Sequence, residues 1–157
     1  MLVEISSATE FLVNLLRLSS FSSELNHEQL VMFRGSLSNV LQSRYREHWF
    51  PLKPNKGSAY RCIRINNKMD PVIAQAGAAI GIPPEFLRKM FPCELTVWID
   101  PSEVSYRIGE HGSICTLYES KKTKEESLNF PPPRQSPELY HDPRQYEQVD
   151  PMVDYIY

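Results

Sequence analysis

The chain reads as an α+β protein: N-terminal helices packed with a small, mainly antiparallel sheet, in a single domain (residues 1–120) followed by a disordered tail (residues 121–157). Three observations predict this. Residues 2–18 and 26–47 carry apolar side chains at spacings of three and four, the pattern of one buried helix face. Three short runs, 94–100, 103–108 and 113–119, follow in close order, and the turn-rich links Asp100-Pro-Ser102 and Gly109-Glu-His-Gly112 favour antiparallel pairing. Beyond residue 120 lie 6 of the 13 prolines, which interrupt helices and strands, and too few aliphatic residues to offset the entropy of ordering.

The first helix spans residues 2–18, with Ile5, Ala8, Leu12, Leu15 and Leu16 on one face. Ser19, Ser20, Ser22 and Ser23 break it. Asn26 suits the N-cap of a second helix, and Gln29, three residues on, completes a capping box. That helix keeps its apolar spacing through Leu30, Phe33, Leu37, Val40, Leu41 and Tyr45 to about Glu47. Gly35 inside it costs about 1 kcal/mol relative to Ala, and close packing against the first helix would explain its presence. Pro51, Pro54 and Gly57 set a loop, after which Tyr60-Arg-Cys-Ile-Arg-Ile65 alternates as a strand. Asp70 and Pro71 supply an N-cap and a first-turn proline for a helix that stops at Gly81, and a short helix runs from Pro84 to Met90.

Composition narrows the function. A chain of 157 residues, 41% hydrophobic and 23% charged, is globular. Through residue 120 there are 12 basic and 12 acidic residues, so the formal net charge of −2 belongs wholly to the tail. That balance gives no electrostatic footprint for nucleic acid or an anionic membrane. No apolar run is long enough to span a bilayer, and the first twenty residues read as an amphipathic helix rather than a secretory signal. Cys62, Cys93 and Cys115 match no zinc spacing and suggest reduced thiols in an intracellular protein. No metal or other cofactor is expected.

Glu94-Leu-Thr-Val-Trp-Ile-Asp100 carries the most informative pattern. In an extended chain Leu95, Val97 and Ile99 share one face, and Thr96, Trp98 and Asp100 share the other. The aliphatic face belongs to a core. A buried Asp without a partner is costly, so a wet Asp100 makes its strand neighbour Trp98 at least partly wet, and an exposed Trp beside a carboxylate suits docking. The competing reading covers Trp98 with a helix and leaves Asp100 merely ending the strand before Pro101.

Catalytic signals are poor, with no G-x-S-x-G, no phosphate-binding glycine loop and no H-E-x-x-H. Glu110 and His111 offer an acid and a base together, and this is the weakest alternative, because their flanking glycines read first as a hairpin turn. His48 reads as a capping or packed residue at a helix end. Arg61, Arg64 and Arg107 offer a basic patch beside aromatics, one route to direct RNA binding. The neutral charge balance opposes strong phosphate binding, and pairing with Glu94, Glu103 or Asp100 is the competing reading.

Two long segments resemble the signature boxes of the BTG/Tob antiproliferative family. The first is His48-Trp-Phe-Pro-Leu-Lys-Pro-Asn-Lys-Gly-Ser-Ala-Tyr-Arg-Cys-Ile-Arg-Ile-Asn66; the second is Leu95-Thr-Val-Trp-Ile-Asp-Pro-Ser-Glu-Val-Ser-Tyr-Arg-Ile-Gly-Glu110. The match covers roughly residues 1–120 with continuous spacing. Met69-Asp-Pro71 and Gly112-Ser-Ile-Cys-Thr-Leu-Tyr-Glu119 make the chain most similar to the BTG branch. The resemblance implies a non-catalytic adaptor that binds the Caf-type subunit of the cytoplasmic deadenylase complex, promotes shortening of mRNA poly(A) tails, and acts in cytoplasm and nucleus. The family's nuclease-contacting Tyr, Trp and Asp fall on Tyr60, Trp98 and Asp100. A further segment implies contact with the cytoplasmic poly(A)-binding protein, carried here by Leu117, Tyr118 and Glu119, although the match stops at Ser120. The tail departs from the family. Its Ser136-Pro137 is a candidate proline-directed phosphorylation site, and Tyr140, Tyr146, Tyr155 and Tyr157 stay unassigned.

Overall fold

A computed structural model describes residues 1–121. The expectations for Ser136 and the tail tyrosines lie outside the described residues. Helix α1 (Leu2–Leu18) buries Ile5, Ala8, Leu12, Val13 and Leu16, as its spacing requires. Helix α2 (His27–Tyr45) starts on the expected capping box: the Gln29 N–H donates to Asn26 Oδ1 at 2.8 Å, and the Asn26 N–H donates to Gln29 Oε1 at 3.0 Å. It ends at Tyr45 rather than Glu47, where the His48 N–H turns back to the Tyr45 carbonyl at 2.9 Å. Gly35 is exposed, and a Cβ there would meet nothing within 4 Å, so close helix packing does not explain it.

The expected strand at 60–65 is only half a strand. Ser58–Arg61 forms a single helical turn, α3, and strand β1 is confined to Ile63–Asn66. Gly57, in the left-handed region at φ 77°, opens the turn, and its carbonyl accepts from the Tyr60 and Arg61 N–H groups. The alternation of Tyr60, Cys62 and Arg64 with Ile63 and Ile65 fits a strand, but residues 58–61 close a helical turn with Arg61 buried at its end. Tyr60 therefore sits on a helical turn and not on a sheet face.

Asp70 works on two elements. Its Oδ1 accepts from the Val72 N–H at 2.8 Å and caps α4 (Pro71–Ala78), while its Oδ2 accepts from the Arg64 N–H at 2.9 Å and covers the outer edge of β1. Gly81, at φ 78°, closes the turn after α4, and α5 (Pro84–Met90) follows as expected.

Strands β2 (Glu94–Asp100), β3 (Glu103–Ile108) and β4 (Cys115–Glu119) complete a four-stranded antiparallel sheet in the order β1-β2-β3-β4. Ile63 pairs with Val97, Ile65 with Leu95 and Ile99 with Val104, so one face is continuously aliphatic and packs into the core with α1 and α2. Helix α1 touches β2, β3 and β4, and α2 packs on α1 and α4. The β2–β3 turn is pinned to α1: the N–H of Ser102, at φ 72°, donates to Glu4 Oε1 at 3.0 Å. Among the described residues, no helix is long and apolar enough to cross a membrane.

Candidate functional site

Strand β2 separates its faces as the alternation requires. Leu95, Val97 and Ile99 are at most 1% exposed, whereas Thr96, Trp98 and Asp100 are only partly buried. The Trp98 ring is not sealed beneath a helix. It lies opposite Ser105 of β3, with the Arg107 guanidinium 5.9 Å from its centroid. That cation–π contact covers part of the ring and leaves the rest accessible.

Asp100 is not a bare charge. Its Oδ1 pairs with Arg61 Nη2 at 2.5 Å, and its Oδ2 accepts from the Ser58 hydroxyl at 2.9 Å. Arg61 has no exposed side-chain surface and places all five of its N–H donors. Nε donates to the Ile99 carbonyl at 2.9 Å, and Nη1 to the carbonyls of His48 at 2.7 Å and Lys56 at 2.8 Å. Nη2 adds the Pro54 carbonyl at 2.7 Å to its bond with Asp100. The Tyr45 hydroxyl, also buried, donates to the Arg61 carbonyl. Burial pushes the Tyr45 phenol well above its ordinary range, which keeps it a protonated donor. Trp49 lies under the clamp, with the Arg61 guanidinium 5.5 Å from its ring.

Tyr60, at 39% exposure, projects from α3 between two neighbours. The His48 ring is 3.9 Å away by centroids, and the Arg44 guanidinium lies 4.3 Å from the Tyr60 ring. Arg44 also donates to the Tyr60 carbonyl from Nε and Nη2, at 3.4 Å each. His48 is thus a stacking residue, and the ring it orients is exposed.

The other candidates resolve differently. Arg61 is buried and fully bonded, so it cannot join a basic RNA-binding patch, and Asp100 claims it, as the pairing alternative expected. Arg64 is exposed on β1, and Arg107 lies over Trp98. Glu110 and His111 sit in the exposed β3–β4 turn, which Gly109 opens at φ 78° and which the Glu110 N–H ties to Glu94 Oε2 at 2.8 Å. All three cysteines are unpaired. Burial first, then the charge of Asp70, raises the Cys62 thiol above its ordinary value, which disfavours the thiolate form. Among the described residues no group of three or more His, Cys, Asp and Glu is arranged to hold a metal ion.

Leu117, Tyr118 and Glu119 lie on the edge strand β4. Leu117 is the extra residue of a bulge, because Val104 pairs with Tyr118 while Ser105 pairs with Thr116. Leu117 and Tyr118 are half-buried and pack against the core, and Glu119 is exposed opposite Glu103. A cleft of about 100 Å³, lined by Pro54, Asn55, Asp100, Pro101, Ser102, Glu103 and Glu119, joins this strand to the Asp100 clamp. The two candidate surfaces are therefore contiguous.

Ser58, Tyr60, Arg61, Trp98 and Asp100 fall within the two signature boxes, and residues 1–118 match the sequence model of the BTG family. The chain belongs to the BTG family of antiproliferative proteins. It is 54% identical to human BTG2 over 119 residues, spanning 76% of this chain and 73% of that protein. Rat BTG1 is 51% identical over 129 residues, spanning 82% and 74% respectively. Human Tob1 is 42% identical over 118 residues, or 75% of this chain and 33% of Tob1. Identity is thus higher to these BTG-branch proteins than to Tob1, in agreement with the signature segments. A doubly substituted BTG/Tob domain of C. elegans FOG-3 superposes with a TM-score of 0.65 at 20% identity, covering 84% of this chain and 92% of that one, which shows the shared fold.

Within this BTG-family domain, sequence reasoning missed Ser58 and the inward role of Arg61. The usable signal was Gly57-Ser58 directly before Tyr60-Arg61: a glycine and a hydroxyl residue start a turn more readily than they start a strand.

Proposed function

We propose that this BTG-family protein is a non-catalytic adaptor that binds the Caf-type deadenylase subunit through Tyr60, Trp98 and Asp100. By bringing the nuclease to messages it promotes poly(A)-tail shortening, restrains proliferation, and acts in cytoplasm and nucleus. The observation that carries the reading is the position of Trp98: a large ring only partly buried, on a strand whose other face is wholly core. Such a ring supplies broad, rigid contact area at little entropic cost. Tyr60 adds a second aromatic that His48 and Arg44 already hold in place.

A second contact, to the cytoplasmic poly(A)-binding protein, is proposed for Leu117, Tyr118 and Glu119. The cleft that Glu119 lines together with Asp100 supports it, because partners on both surfaces would stand side by side. The benefit of such bridging is effective concentration rather than chemistry.

The test is calorimetric titration of the purified nuclease subunit with the wild-type chain and with Trp98→Ala. Losing a central aromatic anchor is expected to cost at least ~2 kcal/mol of binding, about 30-fold in Kd, at an unchanged melting temperature. Equal binding by the two proteins would refute the proposal. A fall in melting temperature matching the lost binding would return Trp98 to a packing role, and salt-sensitive binding of naked RNA would favour direct RNA recognition.

A further inference from the structure

Tyr60 and Asp100 lie on different elements, yet α3 grips Asp100 from both sides of Tyr60. Ser58, two residues before it, donates its hydroxyl to Asp100 Oδ2 at 2.9 Å, and Arg61, directly after it, holds Oδ1 at 2.5 Å. A turn of four residues has no helical stability of its own, so its position depends on such tertiary links. Arg61 secures the other side by holding the His48, Pro54 and Lys56 carbonyls of the preceding loop and the Ile99 carbonyl of β2. His48, whose carbonyl is one of those acceptors, also stacks on the Tyr60 ring. A single hydrogen-bonded unit therefore fixes the Tyr60 ring, the Asp100 carboxylate and the strand that carries Trp98.

We infer that Ser58 and Arg61 are positioning residues of the docking surface: they touch no partner atom, and they set Tyr60 against Trp98 and Asp100 before a partner arrives. This rests on the adaptor reading above. Arg61 has no exposed side-chain surface for a partner to reach, and Ser58 spends its hydroxyl on Asp100. Without the grip, α3 samples other positions, and binding must bear the cost of ordering it. Asp100 thus contributes to docking in two ways, through whatever its outer surface meets and through the turn it holds.

The experiment compares Ser58→Ala and Ser58→Thr in nuclease-subunit titrations of the full chain, with amide hydrogen exchange on the free protein. Ser58→Ala is expected to weaken binding about tenfold at full stoichiometry, because one hydrogen bond to a charged group is removed. It should speed exchange at Tyr60, Arg61 and Cys62, whose N–H groups bond within the turn, while the amides of β2 and β3 stay protected. Ser58→Thr, which keeps the hydroxyl, should restore both. In an Asp100→Ala background Ser58→Ala should cost nothing further, since its acceptor has gone. A purely structural role would lower the melting temperature and the binding-competent fraction without changing Kd. The inference is overturned if Ser58→Ala binds like the wild type, or if its loss persists undiminished beside Asp100→Ala. Failure of the wild-type chain to bind the nuclease sinks the adaptor reading and the positioning role with it; wild-type binding with an unaffected Ser58→Ala sinks the positioning role alone.

Discussion

Replacing Arg61 with Met keeps similar length and an apolar stem but removes five donors at once. The Ile99 carbonyl, held in a fully buried bond, has no route to water and bears the desolvation cost of an unsatisfied acceptor, about 1–3 kcal/mol. The His48, Lys56 and Pro54 carbonyls lie in part-buried bonds, so water recovers part of each loss. Breaking a fully buried ion pair costs about 3–5 kcal/mol, but the Asp100 side chain is 22% exposed and regains solvation, which places this contribution below that range. Together these set the expected destabilisation at about 3–5 kcal/mol, a large share of the ~5–15 kcal/mol that holds such a domain folded. In urea, with a slope of about 1.5 kcal/mol per molar, the midpoint should fall by roughly 2–3 M at an unchanged slope. Asp100→Asn keeps one acceptor, which can serve Arg61 while its amide N–H donates to the Ser58 hydroxyl, and should cost less, about 1–2 kcal/mol. A loss below ~1 kcal/mol for Arg61→Met, or an Asp100→Asn loss as large as it, would refute the reasoning that Arg61 organises this region.

Two further outcomes are expected. Gly35→Ala should stabilise the protein by about 0.8–1 kcal/mol, because Gly35 lies inside α2 with open space at its Cβ; an unchanged or lower melting temperature would contradict this. Burial alone would raise the Glu4 carboxyl, but bonds from the Met1 amino group at 2.6 Å and the Ser102 N–H at 3.0 Å outweigh it and hold the group below its ordinary value of 4.5. A carboxyl depressed in the folded state stabilises fully above its unfolded value, and that stabilisation fades as pH falls through the folded value. The stability gap between wild type and Glu4→Gln should therefore be constant near neutrality and shrink below about pH 5. A gap independent of pH in urea titrations would show that the Glu4 charge does not contribute.

The helix starts were legible because capping is local chemistry. Asn26 with Gln29, and Asp70 with Pro71, need only neighbours three residues away or fewer. The β2 faces were legible because a period of two leaves Leu95, Val97 and Ile99 one place to go. Tyr60-Arg61-Cys62 was misread for the opposite reason. Its alternation fits a strand, and what bends it into α3 is a set of acceptors distant in sequence, with the Ile99 carbonyl and the Asp100 carboxylate 38 and 39 positions from Arg61. Asp100 was one of three candidate acceptors for the arginines, but neither the choice of Arg61 nor the Ser58 bond is marked by anything near Asp100 in the chain.

By itself, then, the amino-acid order determined the α+β class, the helix caps and the strand faces, because each depends on spacing along the chain, while the resemblance of two long segments pointed to the family. Tertiary structure alone decided which of its candidate partners Arg61 takes, that Ser58 joins it on Asp100, and that Tyr60 rides on a helical turn beside Trp98's strand. Those outcomes follow from hydrogen bonds between remote segments, where a buried guanidinium must find five acceptors and the backbone bends to supply them.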